Sequence, residues 1–442
     1  MNIAALVACA RGPNVWLSDS DAHAVTVQAP NKVKVTCTAE GDERSATIDG
    51  EGSVRGLLAD TTYGCSFDGE TQAVVTTTPL PSDLPLGEVE VADAAAGWHL
   101  VNLHGIDAPE GSNIGKYLVI VDEEGRPRWQ FEGVGGADVD ATWLGDGGIL
   151  YAGGNSSDTN LPPTIIDLDG DQHCQADDAS GSEYVLPNAW NHDAGFDQAD
   201  PSRIWALARE SVAGIDGFVV LGIDAESGES TWTWASTEHG EALPEPEDGE
   251  DDPFHANAIW DQVENRETAL YLSLRRVSRV ERVVYETGAV TWSLGYGGDF
   301  ALLEADGTTA ADDRWFFGQH DVKRIGDRVT LFDNGTLRPD GLGDERSRVL
   351  ELELDETART ARIVFEWTLP LEEEDWIAYL WGGVDPRDEG GYCVAASHYL
   401  VTNPDNAPTQ LLHVEAGGEL SWQVTFADGV VLYRSQELAT FP

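Results

Sequence analysis

Three histidines recur at nearly equal intervals in the middle of the chain. His192, His255 and His320 lie 63 and 65 residues apart, and each stands at the start of a strand-like run. A neutral imidazole is a nucleophile and a base near neutral pH, because its unperturbed pKa is about 6.5. If the three runs are equivalent strands of a repeated unit, the imidazoles converge on one site. The alternative is that each is a separately satisfied structural histidine.

Further polar side chains stand where a second strand of the same unit would end. Arg275 follows the apolar run 270–274, Arg338 follows the segment 331–337, and His398 follows Ala396 and Ser397. The second strand of each unit returns to the face from which the first strand begins. These three side chains are therefore expected to reach the same site as the histidines.

The elements that carry these side chains repeat six times. In each copy a turn follows a β-rich run. Four copies have Gly and, four residues later, Trp: Gly125/Trp129, Gly228/Trp232, Gly288/Trp292 and Gly418/Trp422. The other two copies are degenerate, with Gly170/Cys174 and Thr357/Trp367. Six hairpins of one kind predict an all-β fold with a six-bladed β-propeller over residues 93–442. The first blade lacks an innermost strand, and we expect residues 430–434 to supply it, which removes two open sheet edges.

The chain before the repeats has a different pattern. Short alternating runs over residues 14–80 predict a fibronectin- or Ig-like β-sandwich, and the proline-rich residues 81–92 predict a linker. Cys37 and Cys65 lie 28 residues apart in strand-like contexts, with Tyr63 where a tyrosine corner would sit. We expect a disulfide between them, with Cα atoms about 5 to 6 Å apart, and hence export to an oxidising compartment.

The extreme N-terminus bears on localisation. Leu6-Val7-Ala8-Cys9 resembles a bacterial lipobox, so residues 1–13 are either the remnant of a signal segment with a lipid anchor at Cys9 or a chance match. No run of 18 apolar residues occurs, so no membrane-spanning helix is expected. A periplasmic or cell-surface protein, either free or lipid-anchored, fits these features.

The composition excludes some partners. Among 442 residues, 79 Asp and Glu oppose 26 Lys and Arg, for a net charge of −53. Nucleic-acid binding requires a basic surface, and a chain with so large an excess of acidic residues does not provide one. An anionic small molecule is still compatible, because charges beyond about 8 Å are largely screened at physiological salt. The acidic coat is either an adaptation to high salt or an ordinary solvated surface.

At these residues the chain resembles the bacterial arylsulfate sulfotransferase family, and the resemblance covers nearly its whole length. The motifs that carry it are Phe254-His255-Ala256-Asn257-Ala258-Ile259, Trp292-Ser293-Leu294-Gly295, Gly318-Gln319-His320-Asp321, Phe332-Asp333-Asn334-Gly335 followed by Arg338, and Leu432-Tyr433-Arg434-Ser435. The resemblance implies transfer of a sulfuryl group from an aryl sulfate to a phenol through a histidine, without a cofactor or metal.

The resemblance also implies roles for individual residues. His320, Arg338 and His255 take catalytic roles, and His398 is the nearest substitute for the family's nucleophilic histidine. The substrate-binding candidates are His192, Asn257, Arg275, Asp333 and Asn334. Three alternatives stay open: a quinoprotein-like oxidoreductase, which normally needs eight blades, a metal-dependent propeller whose histidines bind iron, and a propeller that only binds.

Overall fold

The computed structural model describes residues 16–92, 97–105, 116–132, 139–145, 148–153, 161–176, 185–212, 215–244, 252–264, 266–343, 345–369, 377–388, 390–397, 409–427 and 429–441. These residues form an all-β structure with short 3₁₀ turns at Ser236–Glu238 and Asp312–Arg314. None of their helices is long and apolar enough to cross a membrane. The lipobox-like segment with Cys9 lies outside the described residues.

The N-terminal strands form one five-stranded sheet. They are β1 (Trp16–Ser20), β2 (Ala24–Ala39), β3 (Asp42–Arg55), β4 (Thr62–Phe67) and β5 (Glu70–Thr76). Strand β2 pairs with β1 through its first half, with β4 through its second half, and with β3 along its length. The sequence predicts two packed sheets here, whereas the hydrogen bonding joins all five strands, because the 16 residues of β2 extend through both halves.

Two features of this unit concern residues that the sequence singles out. Cys37 faces Cys65 directly across β2 and β4, and their sulfurs are bonded at 2.06 Å. Their Cα atoms are 4.0 Å apart, closer than expected, because the two residues are direct partners in an antiparallel pair. The Tyr63 hydroxyl accepts a hydrogen bond from the Leu58 amide at 2.8 Å, which fixes the corner before β4.

Six further sheets follow, and we number them in chain order. Sheet 1 contains β7 (Trp98–Gly105), β8 (Lys116–Val121) and β9 (Pro127–Glu132). Sheet 2 contains β10 (Val139–Trp143), β11 (Gly148–Gly153), β12 (Leu161–Asp167) and β13 (Gln172–Gln175). Sheet 3 contains β14 (Val185–Phe196), β15 (Arg203–Val212), β16 (Ile215–Asp224) and β17 (Ser230–Ala235).

The remaining sheets have the same plan. Sheet 4 contains β18 (Ala256–Glu264), β19 (Glu267–Leu274), β20 (Arg279–Val284) and β21 (Ala289–Leu294). Sheet 5 contains β23 (His320–Ile325), β24 (Arg328–Asp333), β25 (Arg348–Asp355) and β26 (Thr360–Trp367), with β22 (Ala301–Leu303) added in parallel beside β26. Sheet 6 contains β27 (Gly383–Pro386), β28 (Tyr392–Ala396), β29 (Gln410–Val414) and β30 (Leu420–Phe426).

Strands from distant parts of the chain complete the first and last sheets. β31 (Val430–Val431) and β32 (Ser435–Leu438) pair with β7, which places the C-terminal segment at the inner edge of sheet 1, as the sequence indicates. β6 (Gly87–Ala92) pairs with β30 at the outer edge of sheet 6. The C-terminal segment therefore completes the first sheet, and a strand from the N-terminal end of the repeat region completes the last sheet.

The six sheets follow one another in a closed cycle. Their inner strands contact in the order β10, β14, β18, β23, β27, β32 and again β10. A cluster of buried apolar residues fills each gap between neighbouring sheets, including the gap between sheets 6 and 1. The fold is therefore propeller-like, and its inner strands surround a common axis.

Tryptophans of the fourth strands link each of four sheets to the next one. Nε1 of Trp129 donates to the Leu168 carbonyl in the last turn of sheet 2 at 2.8 Å. Trp422 of sheet 6 donates to the Glu123 carbonyl of sheet 1 at 2.8 Å and so spans the junction where the cycle closes. Trp234 and Trp367 make the same kind of bond to the turns of sheets 4 and 6. The repeat of Gly and Trp therefore marks contacts between neighbouring sheets in addition to hairpin turns.

Candidate active site

The three histidines stand at irregular places of inner strands, two of them at a strand start and His192 at a bulge inside its strand. His192 lies in β14, His255 directly precedes β18, and His320 opens β23. The pairing register shifts at each of these places. His192 and His255 have φ of 44° and 51°, in the left-handed region that non-glycine residues rarely adopt. A β-bulge re-aims side chains, so each of these places can direct its imidazole toward the shared axis.

The structure brings these imidazoles together around one tyrosine. The ring centroids of His192 and His255 are 4.6 Å apart. Tyr433 lies 5.9 Å from His192 and 6.3 Å from His320, measured between ring centroids. The Tyr433 hydroxyl donates to the Asn257 carbonyl at 3.2 Å, which fixes the phenol ring between the two histidines. Sequence reasoning placed Tyr433 in the closing strand but did not identify it as a site residue.

His320 is held in one tautomer. Its Nδ1 lies 2.7 Å from Oδ1 of Asn334, whose Nδ2 donates to the carbonyls of Ala378 and Trp381 at 2.7 and 2.8 Å. Because the amide nitrogen faces two carbonyls, the amide oxygen must face the imidazole, and Nδ1 carries the proton. Burial, and then the charge of Arg275, hold the pKa of His320 well below its usual value. The neutral ring therefore has its lone pair on Nε2.

His255 has a different environment. Its Nδ1 lies 3.2 Å from Oδ2 of Asp252, and its backbone amide donates to Oδ1 of the same carboxylate at 3.1 Å. Burial raises the pKa of Asp252, but the hydrogen bond and charge of His255 outweigh it and lower that pKa overall. The carboxylate is thus an ionised acceptor that orients the ring. The side chain of His255 is 14% exposed, whereas His320 is 1% exposed.

Arg275 and His192 complete the group around the imidazoles. The Arg275 amide donates to the His255 carbonyl at 3.1 Å, and its Nη2 donates to the Tyr379 carbonyl at 3.3 Å. Burial first, and then the neighbouring His255, hold the pKa of His192 well below its usual value. The site therefore combines neutral imidazoles with the guanidinium of Arg275, an arrangement that favours an anionic ligand.

Asn257 and Asp333 both have supporting contacts. Nδ2 of Asn257 donates to the Gln319 carbonyl at 2.9 Å, which links sheets 4 and 5 directly beside His320. Oδ1 of Asp333 accepts from the amides of Phe317 and Gly335 at 2.9 and 3.0 Å, and Oδ2 accepts from Arg348 at 2.7 Å. Both side chains are fully buried and position the segments around His320.

Arg338 lies in a separate group of contacts. Its guanidinium lies 4.7 Å from the centroid of the Phe317 ring and donates to the carbonyls of Asp313 and Gly335 at 2.8 and 3.1 Å. Within the described part of the chain, no hydrogen bond, ion pair or ring contact joins Arg338 to the three histidines. His398 lies outside the described residues.

One polar residue of each sheet lies on or beside its inner strand, and sequence reasoning named only Asn257 among them as a site residue. In order around the axis these are Arg434, Asp140, Asp193, Asn257, Asp321 and Asp385. Nη1 of Arg434 lies 2.8 Å from Asp140 and 3.0 Å from Asp193, and its Nε lies 3.5 Å from Asp321. The last four members follow one another at intervals of 64 residues, a signal that was present in the sequence. His192 and His320 directly precede members of this set, whereas His255 stands two positions before Asn257.

This axial polar set contains four carboxyl groups and one guanidinium. Lys323 adds a second cation, with Nζ 2.6 Å from Asp321 and 2.9 Å from Asp385. Burial, reinforced by neighbouring carboxylates, raises the pKa of Asp140 and of Asp385. For Asp321 burial acts in the same direction, but Lys323 and Arg434 outweigh it and lower the pKa. The set therefore places two cations among four carboxyl groups.

Comparison with known proteins gives one family. The arylsulfotransferase (ASST) family model matches residues 99–434. None of the curated proteins matches the chain significantly. Among solved structures, a protein of unknown function from Bacteroides caccae is 12% identical, with a TM-score of 0.46, over 77% of this chain and 98% of that one.

Two other solved structures are similarly distant. An auxiliary nutrient binding protein from Bacteroides ovatus is 12% identical, with a TM-score of 0.37, over 92% of this chain and 83% of that one. A GH43_1 enzyme from Xanthomonas citri in complex with xylose is 13% identical, with a TM-score of 0.33, over 66% of this chain and 88% of that one. All three TM-scores lie below 0.5, so no functional conclusion rests on them.

Proposed function

The chain belongs to the arylsulfotransferase family, and from this we propose that it moves a sulfuryl group from an aryl sulfate to a phenol through a histidine intermediate. Family membership supports aryl sulfotransferase activity in general. The observation that carries the finer proposal is the fixed tautomer of His320, which leaves a lone pair on Nε2 beside a guanidinium.

The reaction has two half-reactions. In the first, an imidazole nitrogen forms a bond to the sulfur of the aryl sulfate while the bond from sulfur to the phenolic oxygen breaks, and the leaving phenolate takes up a proton. In the second, the oxygen of an acceptor phenol attacks the same sulfur and loses its proton, and the imidazole is regenerated. No net oxidation or reduction occurs, so the cycle requires no redox cofactor.

His320 and His255 are suited to different parts of this cycle. His320 stays neutral over a wide pH range and offers Nε2 as nucleophile or base. His255 is oriented by the ionised Asp252, which stabilises the imidazolium that forms when the ring takes up a proton. His255 is therefore assigned the proton transfer to and from phenolic oxygen. Two histidines in contrasting environments commonly divide acid and base roles in this way.

Arg275 is assigned to the sulfuryl oxygens. The charge of Arg275 helps to lower the pKa of both His192 and His320, so its guanidinium lies on the side of the cluster where an anion would be bound. A guanidinium next to the reacting group offsets the charge that develops on the departing oxygens. Arg338, which the family resemblance implies as catalytic, is not assigned to the sulfuryl oxygens, because its described contacts lie with the Phe317 segment.

The test is a transfer assay with 4-nitrophenyl sulfate as donor and phenol as acceptor. We expect release of nitrophenolate to depend on the acceptor, and His320→Gln and Arg275→Met to reduce it on the order of 10²-fold or more. His173→Gln is the matched control, because His173 is 59% exposed and distant from the site. Unchanged transfer in His320→Gln, or no transfer by the wild-type protein with any aryl sulfate, would sink the proposal.

The intermediate is identified in a second experiment. Protein quenched during turnover of the donor alone is digested and examined by mass spectrometry for a sulfuryl group on histidine. Modification of the peptide that contains His320 assigns the nucleophile to it. Modification of the peptide that contains His398 instead assigns the attack to His398 and leaves His320 as the base.

We also infer the finer architecture and setting of the chain. The six sheets are assigned as the blades of one six-bladed propeller over residues 93–442, a count that does not suit a quinoprotein dehydrogenase. The domain boundaries at residues 80 and 92, the packing of residues 14–80 as an Ig-like sandwich, and the anchor at Cys9 stay predictions. Export is supported by the bond between Cys37 and Cys65.

A further inference from the structure

A second group of metal-ligating side chains lies away from the histidine site, between sheets 6 and 1. His99 on β7, Cys393 on β28 and His413 on β29 each offer one ligand atom, and these atoms all lie within 4.8 Å of one another. All three residues are fully buried. They meet because Cys393 and His413 are direct cross-strand partners and β7 packs against them where the cycle closes.

The contacts within this group are short. Nε2 of His99 lies 3.1 Å from Nε2 of His413, and Sγ of Cys393 lies 3.6 Å from Nδ1 of His99. Trp422 stacks on His99 at 4.9 Å between centroids and also packs against His413 at 4.9 Å, so both imidazoles are fixed in orientation. The two contacts of His99 lie on opposite sides of its ring, so one ion can use only one of these nitrogens. With one ligand atom taken from each residue, the three atoms lie within 4.8 Å of one another.

One ring nitrogen of the group makes no hydrogen bond to the described residues. Nδ1 of His413 is buried, and among the described residues it has no hydrogen-bond partner. Nδ1 is the ring nitrogen opposite Nε2, so His413 has a second buried nitrogen besides the one that contacts His99. Either nitrogen is a possible ligand atom, and a buried polar atom left without a partner is costly.

The donor set and its surroundings discriminate between ions. One thiolate with two imidazoles suits thiophilic metals. The charge of Arg387, which acts on His413, is balanced by Glu437 in a 2.9 Å ion pair and by Glu415 at 3.6 Å, so the surroundings add no excess positive charge. A divalent ion with one thiolate would add a net positive charge to this buried place, whereas a monovalent ion with one thiolate adds none. Burial of an uncompensated charge is unfavourable, so the monovalent ion is favoured.

We propose that His99, Cys393 and His413 form a three-coordinate site for cuprous copper. Binding exchanges the thiol proton of Cys393 for a bond from sulfur to copper, with release of one proton and no change of oxidation state. The ion then connects β7 of sheet 1 to β28 and β29 of sheet 6. Because the complete site exists only in the folded chain, binding stabilises the closed cycle of sheets.

The test uses the full-length protein, refolded and titrated anaerobically under reducing conditions with Cu(I) held by bicinchoninate. We expect one copper per chain, a higher Tm for the copper-loaded protein, and an X-ray absorption spectrum with one sulfur and two nitrogen scatterers. These measurements on the wild-type protein do not depend on whether any variant folds. Zinc is titrated in parallel, and occupancy by zinc with no binding of copper would overturn the choice of ion.

Variants locate the ion. Cys393→Ser and His413→Gln are expected to lose the copper and the rise in Tm. Cys174→Ser is the matched control, because Cys174 is the other buried free thiol of the described residues and should retain both. Copper binding that persists in Cys393→Ser, or that disappears equally in Cys174→Ser, contradicts the site. Failure of the wild-type protein to bind copper at all contradicts the whole proposal.

Discussion

Nδ1 of His320 lies 2.7 Å from the side-chain oxygen of Asn334, and this one contact determines which nitrogen of the imidazole is available for chemistry. Asn334 is itself fixed, because its amide nitrogen donates to two backbone carbonyls. A rotation of the amide would place its nitrogen against the ring and remove both bonds. Asn334 thus orients the His320 ring, and its assignment to substrate binding stays a prediction.

Removal of the Asn334 side chain should impair turnover through His320. We expect Asn334→Ala to lower kcat on the order of 10²-fold with a smaller change in KM, because the tautomer and the ring orientation are no longer fixed. The acid limb of the profile of kcat against pH should also shift, since the imidazole loses the neutral side-chain oxygen of Asn334 as its hydrogen-bond acceptor. Gln319→Ala removes a neighbouring buried amide that does not touch the imidazole, and an equal loss there would assign the effect to general disruption.

Arg434 should be essential to the stability of the axial polar set. Arg434→Met leaves the carboxylates of Asp140, Asp193 and Asp321 without their shared cation, and we expect a loss of about 3–5 kcal/mol in the free energy of unfolding at pH 7. Urea denaturation measures it. The deficit should shrink at pH 4, where protonation of carboxylates removes the repulsion, and a pH-independent deficit would contradict the electrostatic explanation.

Glu281 should make stability depend on pH. It is fully buried on β20, accepts a hydrogen bond from Ser293 at 2.7 Å, and burial raises its pKa to about 8. The native state therefore keeps a proton that the unfolded chain releases near pH 4.5, so this group's contribution to stability falls as pH rises from about 4.5 to 8. Its slope approaches about 1.4 kcal/mol per pH unit.

The comparison with Glu281→Gln isolates this group from the histidines, whose effect on stability has the opposite sign. Glutamine keeps an acceptor for Ser293 but cannot ionise. The free energy of unfolding of the wild-type protein, relative to the variant, should decline between pH 5 and pH 8 in urea denaturation. Parallel curves over that range would show that Glu281 does not hold its proton in the native state.

The tryptophan bonds between sheets can be measured by substitution. Trp129→Phe removes the donor to Leu168, and we expect it to cost about 1 kcal/mol more than Trp292→Phe. Trp292 is the matched control, because it occupies the same place in the repeat and is equally buried, yet its Nε1 has no partner among the described residues. Equal losses in thermal or urea unfolding would mean that only ring packing matters.

The repeat could be predicted from the sequence because each copy carries its own local signal. A turn and an apolar run recur in every sheet, and a tryptophan follows in each copy except that of sheet 2, where Cys174 stands in its place. The convergence of His192, His255 and His320 follows once those copies are placed in register. The pairing of residues 430–438 with β7 was also accessible, since an unpaired strand at one end matched a missing strand at the other.

Other features depend on contacts that no local pattern encodes. The packing of Arg338 on Phe317 joins side chains from two separate segments of sheet 5, so motif position alone could not reveal it. The parallel addition of β22 beside β26 lies outside the hairpin repeat. The His99, Cys393 and His413 group combines residues more than 290 positions apart, and each looks isolated in the sequence.

The pairing of β32 with β7 sets the time at which this protein becomes active during its own synthesis. The amide of Tyr433 bonds to Asn102 across 331 residues, so the two halves of the site meet only after residue 433 has left the ribosome. Until then a nascent chain carries sheet 1 with an unpaired inner edge that can pair with other chains. The proposed site is therefore incomplete until the C-terminal segment has paired with β7.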